Sequence, residues 1–268
     1  MEIQWIIAYL SLGAIVGFFA GLFGIGGGGI MVPVLTTVFV MQGFPIEYIV
    51  HAALATSMAA IIMTSISSLN AHHKRGAVNW FVVKRMTVGV LLGTFSATFL
   101  ASYLSSLPLT IFFVLFMLFV SVQMLLNIKP KPSRQLPNTL GLSAVGSGIG
   151  AISALVAIGG GSLTVPFLTW CNIKIQNAIG TSAAIGLPIA LAGTVGYFIS
   201  GLDATGMPKY SLGYIYLPAV LLISIVSFIT APLGVKLAHS LPVATLKKLF
   251  SGLLILLAIK MLHTVIVS

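Results

Sequence analysis

Charge is the scarcest commodity in this sequence. Only 6% of its 268 residues are charged, 13 of them basic and 3 acidic, while 58% are hydrophobic. A soluble globular domain carries roughly a quarter charged residues. With so few solvated groups the chain could not cover a water-facing surface, and its mean hydropathy of +1.14 points the same way. Carboxylates are scarcer still: Glu2, Glu47 and Asp203 are the whole set, and none falls in the middle of an apolar run. That argues against a carboxylate-coupled proton or sodium pump. There is one cysteine, Cys171, so no internal disulfide or cysteine-rich metal site can form, and nothing about redox compartment follows. The five histidines have no metal-ligand spacing and no neighbouring cysteines or carboxylates, so neither a metal nor a cofactor is expected. Also missing are the ~10-residue alternating strands of an outer-membrane barrel. A soluble enzyme, a secreted disulfide scaffold and a nucleic-acid binder are excluded together. The net charge of +10 is read as basic loops that fix membrane topology.

Long apolar runs are what the chain has instead. Punctuation by Gly, Pro and charge gives ten segments: 3–24, 28–42, 48–72, 82–104, 109–127, 139–157, 160–173, 177–200, 212–236 and 243–266. A helix needs about 20 apolar residues to span a bilayer. The second and seventh segments fall short of that, and each starts at a glycine cluster and carries a proline. Met1-Glu2 leads straight into apolar sequence with no basic region before it and no small-residue cleavage site after it, so Ile3 to Phe23 is expected to be a membrane helix and not a signal peptide. The expected fold is an all-α polytopic membrane protein of eight to ten helical segments in contact with the lipid bilayer. Nothing in the sequence fixes its oligomeric state.

The halves echo one another. IGGGGIMVPVL at 25–35 returns as IGGGSLTVPFL at 158–168, ALATSMAA at 53–60 as AIGTSAAI at 178–185, and Ser106-Leu107-Pro108 as Ser240-Leu241-Pro242. Three matches in one order indicate an internal duplication: a first membrane repeat at 1–128, a polar linker KPKPSRQLPN at 129–138, and a second repeat at 139–268. Five segments per half is an odd number, so the copies are expected to lie upside down relative to each other, as in many secondary transporters. With the linker placed in the cytoplasm, Lys74, Arg75, Lys84, Arg85, Lys129, Lys131, Arg134, Lys174, Lys236, Lys247 and Lys248 fall on its side, and only Lys209 and Lys260 fall outside. Eleven against two satisfies the positive-inside rule and places both termini outside. The assignment survives if segments one and two, and six and seven, form re-entrant hairpins, because dropping a pair of crossings preserves parity.

Gly26-Gly27-Gly28-Gly29 and Gly159-Gly160-Gly161, followed at one offset by Pro33 and Pro166, interrupt a membrane helix twice. Broken backbone at membrane depth is tolerated only where it is buried in protein or lines a watery cavity. A helix that starts after a glycine loop aims unpaired N–H groups and a positive dipole end at the break, and glycines let those amides curl around an anion. The competing reading is close helix packing, which suits the four-residue spacings Gly13/Gly17/Gly21, Gly89/Gly93 and Gly146/Gly150. Gly24-Ile25-Gly26-Gly27-Gly28-Gly29 also fits the dinucleotide pattern G-x-G-x-x-G, but it follows an apolar helix and no acidic residue lies ~20 positions on in a βαβ context. Thr56-Ser57 and Thr181-Ser182 stand near the start of the helix after each short segment, where their hydroxyls either donate to an anion or bond local backbone. His51, Asn70, His72 and Gln176 are further polar groups near helix ends.

The two G-x-G-G-G…V-P blocks followed by Thr-Ser motifs, on about 260 residues, resemble the TauE/SafE sulfite exporter family, and the resemblance covers essentially the whole chain. It implies a permease of an inner membrane for sulfite or organosulfonate anions. Residues Gly26 to Gly29 with Pro33, and Gly159 to Gly161 with Pro166, match the family blocks. Ser162 stands where the first block has Gly29, so the site is not strictly symmetric. The expectation is a transporter that holds a small anion on the glycine amides, with Ser162, Thr56, Ser57, Thr181 and Ser182 adding hydroxyls and with Pro33 and Pro166 marking the helix breaks. The alternative is a channel with a continuous pore for an anion or small solute. No nucleophile–base pair or buried carboxylate pair suggests an enzyme.

Overall fold

The computed structural model describes residues 2–24, 26–126, 133–238 and 244–267. Among these, ten α-helices carry the fold: α1 (Ile3–Phe23), α2 (Gly28–Met41), α3 (Ile49–His73), α4 (Trp80–Ser102), α5 (Ser106–Leu125), α6 (Thr139–Val156), α7 (Gly161–Trp170), α8 (Ile175–Ser200), α9 (Leu217–Ala238) and α10 (Ala244–Val267). Eight stretches are long and apolar enough to cross a bilayer, and α2 and α7 are the two that are not. The sheet content is one hairpin of two-residue strands, β1 (Ser211–Leu212) and β2 (Ile215–Tyr216). The first four residues of the expected linker, 129–132 with Lys129 and Lys131, and the Ser240-Leu241-Pro242 echo lie outside the described residues.

Three boundaries differ from the sequence reading by three residues or more, each for a local reason. Helix α5 begins at Ser106 and not at 109, because Pro108 falls in its first turn, where a missing N–H costs nothing. Helix α7 stops at Trp170, where Asn172 takes a left-handed φ of 63° and turns the chain. Helix α9 starts only at Leu217, after the β1–β2 hairpin has consumed 211–216. Elsewhere the caps follow ordinary rules: the Asn79 and Asn138 side chains accept from the amides of Val82 and Gly141 and open α4 and α6.

Contacts between helix ends trace the path. The Tyr9 hydroxyl, near the start of α1, donates to Gln42 at the end of α2 at 3.0 Å, so α1 and α2 form a hairpin that returns to its starting end. The backbone amides of Ser133 and Arg134, just before α6, donate to the Trp170 carbonyl at the end of α7, so α6 and α7 do the same. His51 at the start of α3 donates to Ala101 at the end of α4, and Ser106 at the start of α5 donates to the Glu47 carbonyl, so α3, α4 and α5 alternate in direction. The α1–α2 hairpin therefore opens at one end of the bundle and the α6–α7 hairpin at the other, the linker end.

Helices α3 and α8 pack against one another and are the most enclosed. Around them α1 lies on α9, and α4 lies on α6. Both outer pairs meet through glycine. A Cβ on Gly13, Gly17 or Gly21 would strike Ile223, Ser227 or Ala231 of α9. One on Gly89, Gly93, Gly146 or Gly150 would strike backbone across the α4–α6 seam. The four-residue glycine spacings are thus packing seams, as their period indicates. The outward faces carry exposed Leu92, Leu115, Phe119, Leu221, Ile225 and Ile229, the surface a lipid-facing bundle presents. At the linker end Arg85 lies over Phe81 at 3.3 Å and Arg134 over Trp170 at 5.6 Å, an aromatic and basic rim of the kind found at membrane interfaces.

Candidate functional site

The two helix breaks meet at the middle of the bundle. A Cβ placed on Gly26 would stand 2.8 Å from both the Cα and the N of Gly159, and one on Gly28 only 1.6 Å from the Ala157 carbonyl oxygen. The crossing sits at the midpoint of both central helices, because Gly26 also approaches Ile61 of α3, and Gly159 approaches Gly186 of α8. Each break is made the same way. A left-handed residue ends the first helix, Gly24 at φ 68° or Ala157 at φ 47°. A left-handed glycine then opens the second, Gly27 at φ 88° or Gly160 at φ 78°. Left-handed backbone costs an ordinary residue about 1–2 kcal/mol, which is why glycine fills three of these four positions.

Beside the crossing lies a small, partly open pocket with room for about one water molecule, lined by Ala20, Gly24, Gly26, Thr64, Ser65, Ser68, Gly159, Ala183 and Gly186. Among the described residues, none that line it carries charge. Its polar wall is one-sided: Thr64, Ser65 and Ser68 all come from α3, whereas α8 contributes only Ala183 and Gly186. The Thr64 hydroxyl donates to the Ala60 carbonyl and is hydrogen-bonded to the Ser227 hydroxyl of α9 at 2.8 Å. The Ser68 Oγ is buried with no partner.

The residues singled out from sequence fall into two groups. Gly26 and Gly159 line the cavity. Gly27, Gly28, Gly29 and Gly160 face Val16, Ala157, Met117 and Ile189 respectively, each as a close approach that a side chain would block. Gly161 and Ser162 are the buried first two residues of α7. Pro33 and Pro166 are each the sixth residue of their short helix, and both helices run on past them.

The Thr-Ser motifs act across the halves. Thr56 accepts from the Tyr216 amide just before α9 at 3.0 Å, and Thr181 accepts from the Asn79 amide just before α4 at 2.9 Å. Neither is the local capping or back-bonding weighed for them in the sequence. Ser182 donates to the Gly24 carbonyl at 3.0 Å and so clips the first break to α8, while the Ser57 hydroxyl is buried without a partner. His72 donates to the Gly21 carbonyl at 3.4 Å, while Asn70 and Gln176 are exposed. In the turn after α7, burial pushes the Cys171 thiol up. No group of three or more His, Cys, Asp or Glu among the described residues could hold a metal ion.

Sequence reading missed Thr64, Ser65 and Ser68. The signal was there, a hydroxyl-rich turn TSISS at 64–68 inside an apolar span. It has no echo in the matching stretch IALAG at 189–193, and a search guided by repetition passes over what is not repeated.

A bundle of membrane-length helices, broken twice at its centre around a small polar hollow, defines the class: a multi-pass membrane transporter. Residues 9–261 match the family described as Sulfite exporter TauE/SafE, and the chain belongs to that family. It is 40% identical to a probable membrane transporter protein of Haemophilus influenzae over 259 residues, 96% of this chain and 98% of that one. It is 26% identical to a probable membrane transporter protein of Methanocaldococcus jannaschii over 257 residues, 94% of each. It is also 26% identical to the probable membrane transporter protein YdhB of Bacillus subtilis over 246 residues, 87% of this chain and 90% of that one. No solved structure matches it.

Proposed function

We propose that the protein is a secondary permease for a small sulfur-containing oxyanion, sulfite or an organosulfonate, which binds in the central cavity where the two helix breaks cross. The observation that carries this reading is the approach of Gly26 to Gly159 at mid-bundle, beside a hollow with hydroxyls on one wall. Amides at the starts of α2 and α7 have no acceptor within their own helices, and a helix start attracts negative charge. The backbones of Gly26 to Gly29 and of Gly159, Gly161 and Ser162 would supply those amides, with Ser65 and Ser68 on the facing wall, while the Gly160 amide bonds the Ile158 carbonyl. The description of the family supplies the sulfur chemistry.

The halves, 1–128 and 139–268, would be inverted copies that rock about the cavity to alternate access. The reciprocal packing of α1 on α9 and α4 on α6 supports this, as do the two hairpins that open at opposite ends. So does the reciprocal pairing of Thr56 with the chain before α9 and Thr181 with the chain before α4. The linker end would face the cytoplasm and both termini the outside, since Lys74, Arg75, Lys84, Arg85, Arg134 and Lys174 gather at that end. With the cell interior negative, one negative charge leaving gains about 2.3 kcal/mol per 100 mV, enough to drive export.

Purified protein in proteoliposomes tests this. Sulfite efflux should be saturable and should steepen with an imposed inside-negative potential. No saturable flux of sulfite or of any sulfonate would overturn the reading. Unitary currents far above carrier turnover would replace the carrier with a channel.

A further inference from the structure

We infer that the cavity is built for an oxyanion carrying one negative charge, with Ser68 as the side-chain donor that holds it; this rests on the transport reading above. Four helix ends converge on the site: the carbonyl ends of α1 and α6 and the amide ends of α2 and α7. Left alone, their dipoles would cancel. The structure treats the two kinds of end differently. The last carbonyls of α1 are occupied by side-chain donors, Gly21 by His72 and Gly24 by Ser182. At the end of α6, Ala154 is occupied by the Tyr197 hydroxyl at 3.0 Å, and Ser153 by the amides of Ala157 and Ile158. The amide ends of α2 and α7 have no side-chain cap at all. Several carbonyls at the negative ends are therefore occupied by donors, whereas at the positive ends the one bond before the helix start, among the described residues, is that of the Gly160 amide to the Ile158 carbonyl at 2.7 Å, and no side chain caps either.

An uncapped helix start is equivalent to roughly +0.5 of an elementary charge. Two of them supply about one positive charge, and no lysine or arginine among the residues lining the cavity adds to it. A monoanion is matched. A dianion would bring a second charge with no counterpart into a water-poor site, and the cost of stripping water from an ion climbs steeply with its charge. The Ser68 hydroxyl is the second, independent sign of a ligand. It is 3% exposed, it borders the cavity, and it has no hydrogen-bond partner in the protein. A buried hydroxyl left unmade is costly, and a bound oxyanion would accept from it. Of the sulfur oxyanions this selects bisulfite and alkyl sulfonates, and it rejects sulfite dianion, sulfate and thiosulfate.

Labelled sulfite flux into proteoliposomes, corrected for protein-free liposomes, decides the matter in two ways. Above the second ionisation of sulfurous acid, KM expressed as total sulfite should rise about tenfold per pH unit as bisulfite disappears, one unit being a tenfold change in the monoanion. Methanesulfonate should compete with the flux at all pH values, and sulfate and thiosulfate should not. Ser68→Ala should raise KM about tenfold, the loss of a hydrogen bond to a charged group, with thermal stability in detergent maintained because that hydroxyl bonds nothing in the protein. A KM independent of pH, or competition by sulfate equal to that by methanesulfonate, would overturn the single-charge inference and leave anion transport standing. Flux of no oxyanion at any pH would overturn both.

Discussion

The two helix breaks share one design and differ in almost every detail of how they are held. The first ends its helix with Gly24, at ease at φ 68°; the second uses Ala157, strained at φ 47°. The first is clipped to the opposite central helix by the Ser182 hydroxyl on the Gly24 carbonyl, whereas Ser57, the sequence counterpart of Ser182, is buried and bonds nothing. The central helices differ too: α3 turns hydroxyls to the cavity and α8 turns Ala183 and Gly186. The crossing brings two similarly built breaks together, while α3 gives the pocket a polar wall and α8 a smooth one. The shared design sets where the breaks meet, and the differences between them set the chemistry of the pocket walls.

The largest effect expected from breaking this comparison is at the crossing itself. Gly28→Ala puts a Cβ 1.6 Å from the Ala157 carbonyl, backbone against backbone, with no side chain free to yield. It should cost on the order of 3 kcal/mol or more, seen as a large drop in melting temperature in detergent; a melting temperature within error of the parent would show that the breaks do not touch. Next comes the clip. Ser182→Ala leaves a buried carbonyl without its donor and should cost about 1–3 kcal/mol. Smaller and of opposite sign, Ala157→Gly relieves the left-handed strain and should stabilise by about 1 kcal/mol, while Gly24→Ala at the matching position should destabilise. The smallest effect is at Ser57. Its buried hydroxyl has no partner to lose, so Ser57→Ala should cost nothing and leave stability unchanged or slightly raised. Equal losses for Ser182→Ala and Ser57→Ala would erase the asymmetry.

Much of this was legible without coordinates. Ile25 to Leu35 and Ile158 to Leu168 marked both short helices and their breaks, because glycine runs and internal prolines are poor helix material at any depth. The charge count and the four-residue glycine spacings pointed to a membrane bundle with close seams. What stayed hidden depended on long-range contact. Nothing local in Thr56 or Thr181 says that each receives an amide from the other half of the chain, 160 and 102 residues away. Nor does a four-glycine run say which member borders a cavity: Gly26 does, while Gly28, two residues further on, is wedged against Ala157, a distinction set by how the second hairpin crosses the first.

The central claim is that an oxyanion sits where the breaks cross, and its most direct test is an anomalous-scattering map of crystals grown in lipid with selenite, the heavier analogue of sulfite. The account predicts one selenium peak between Gly26 and Gly159, within hydrogen-bonding reach of the Ser68 hydroxyl. A selenite that competes with sulfite flux yet appears elsewhere in the protein, with the crossing empty, would contradict it.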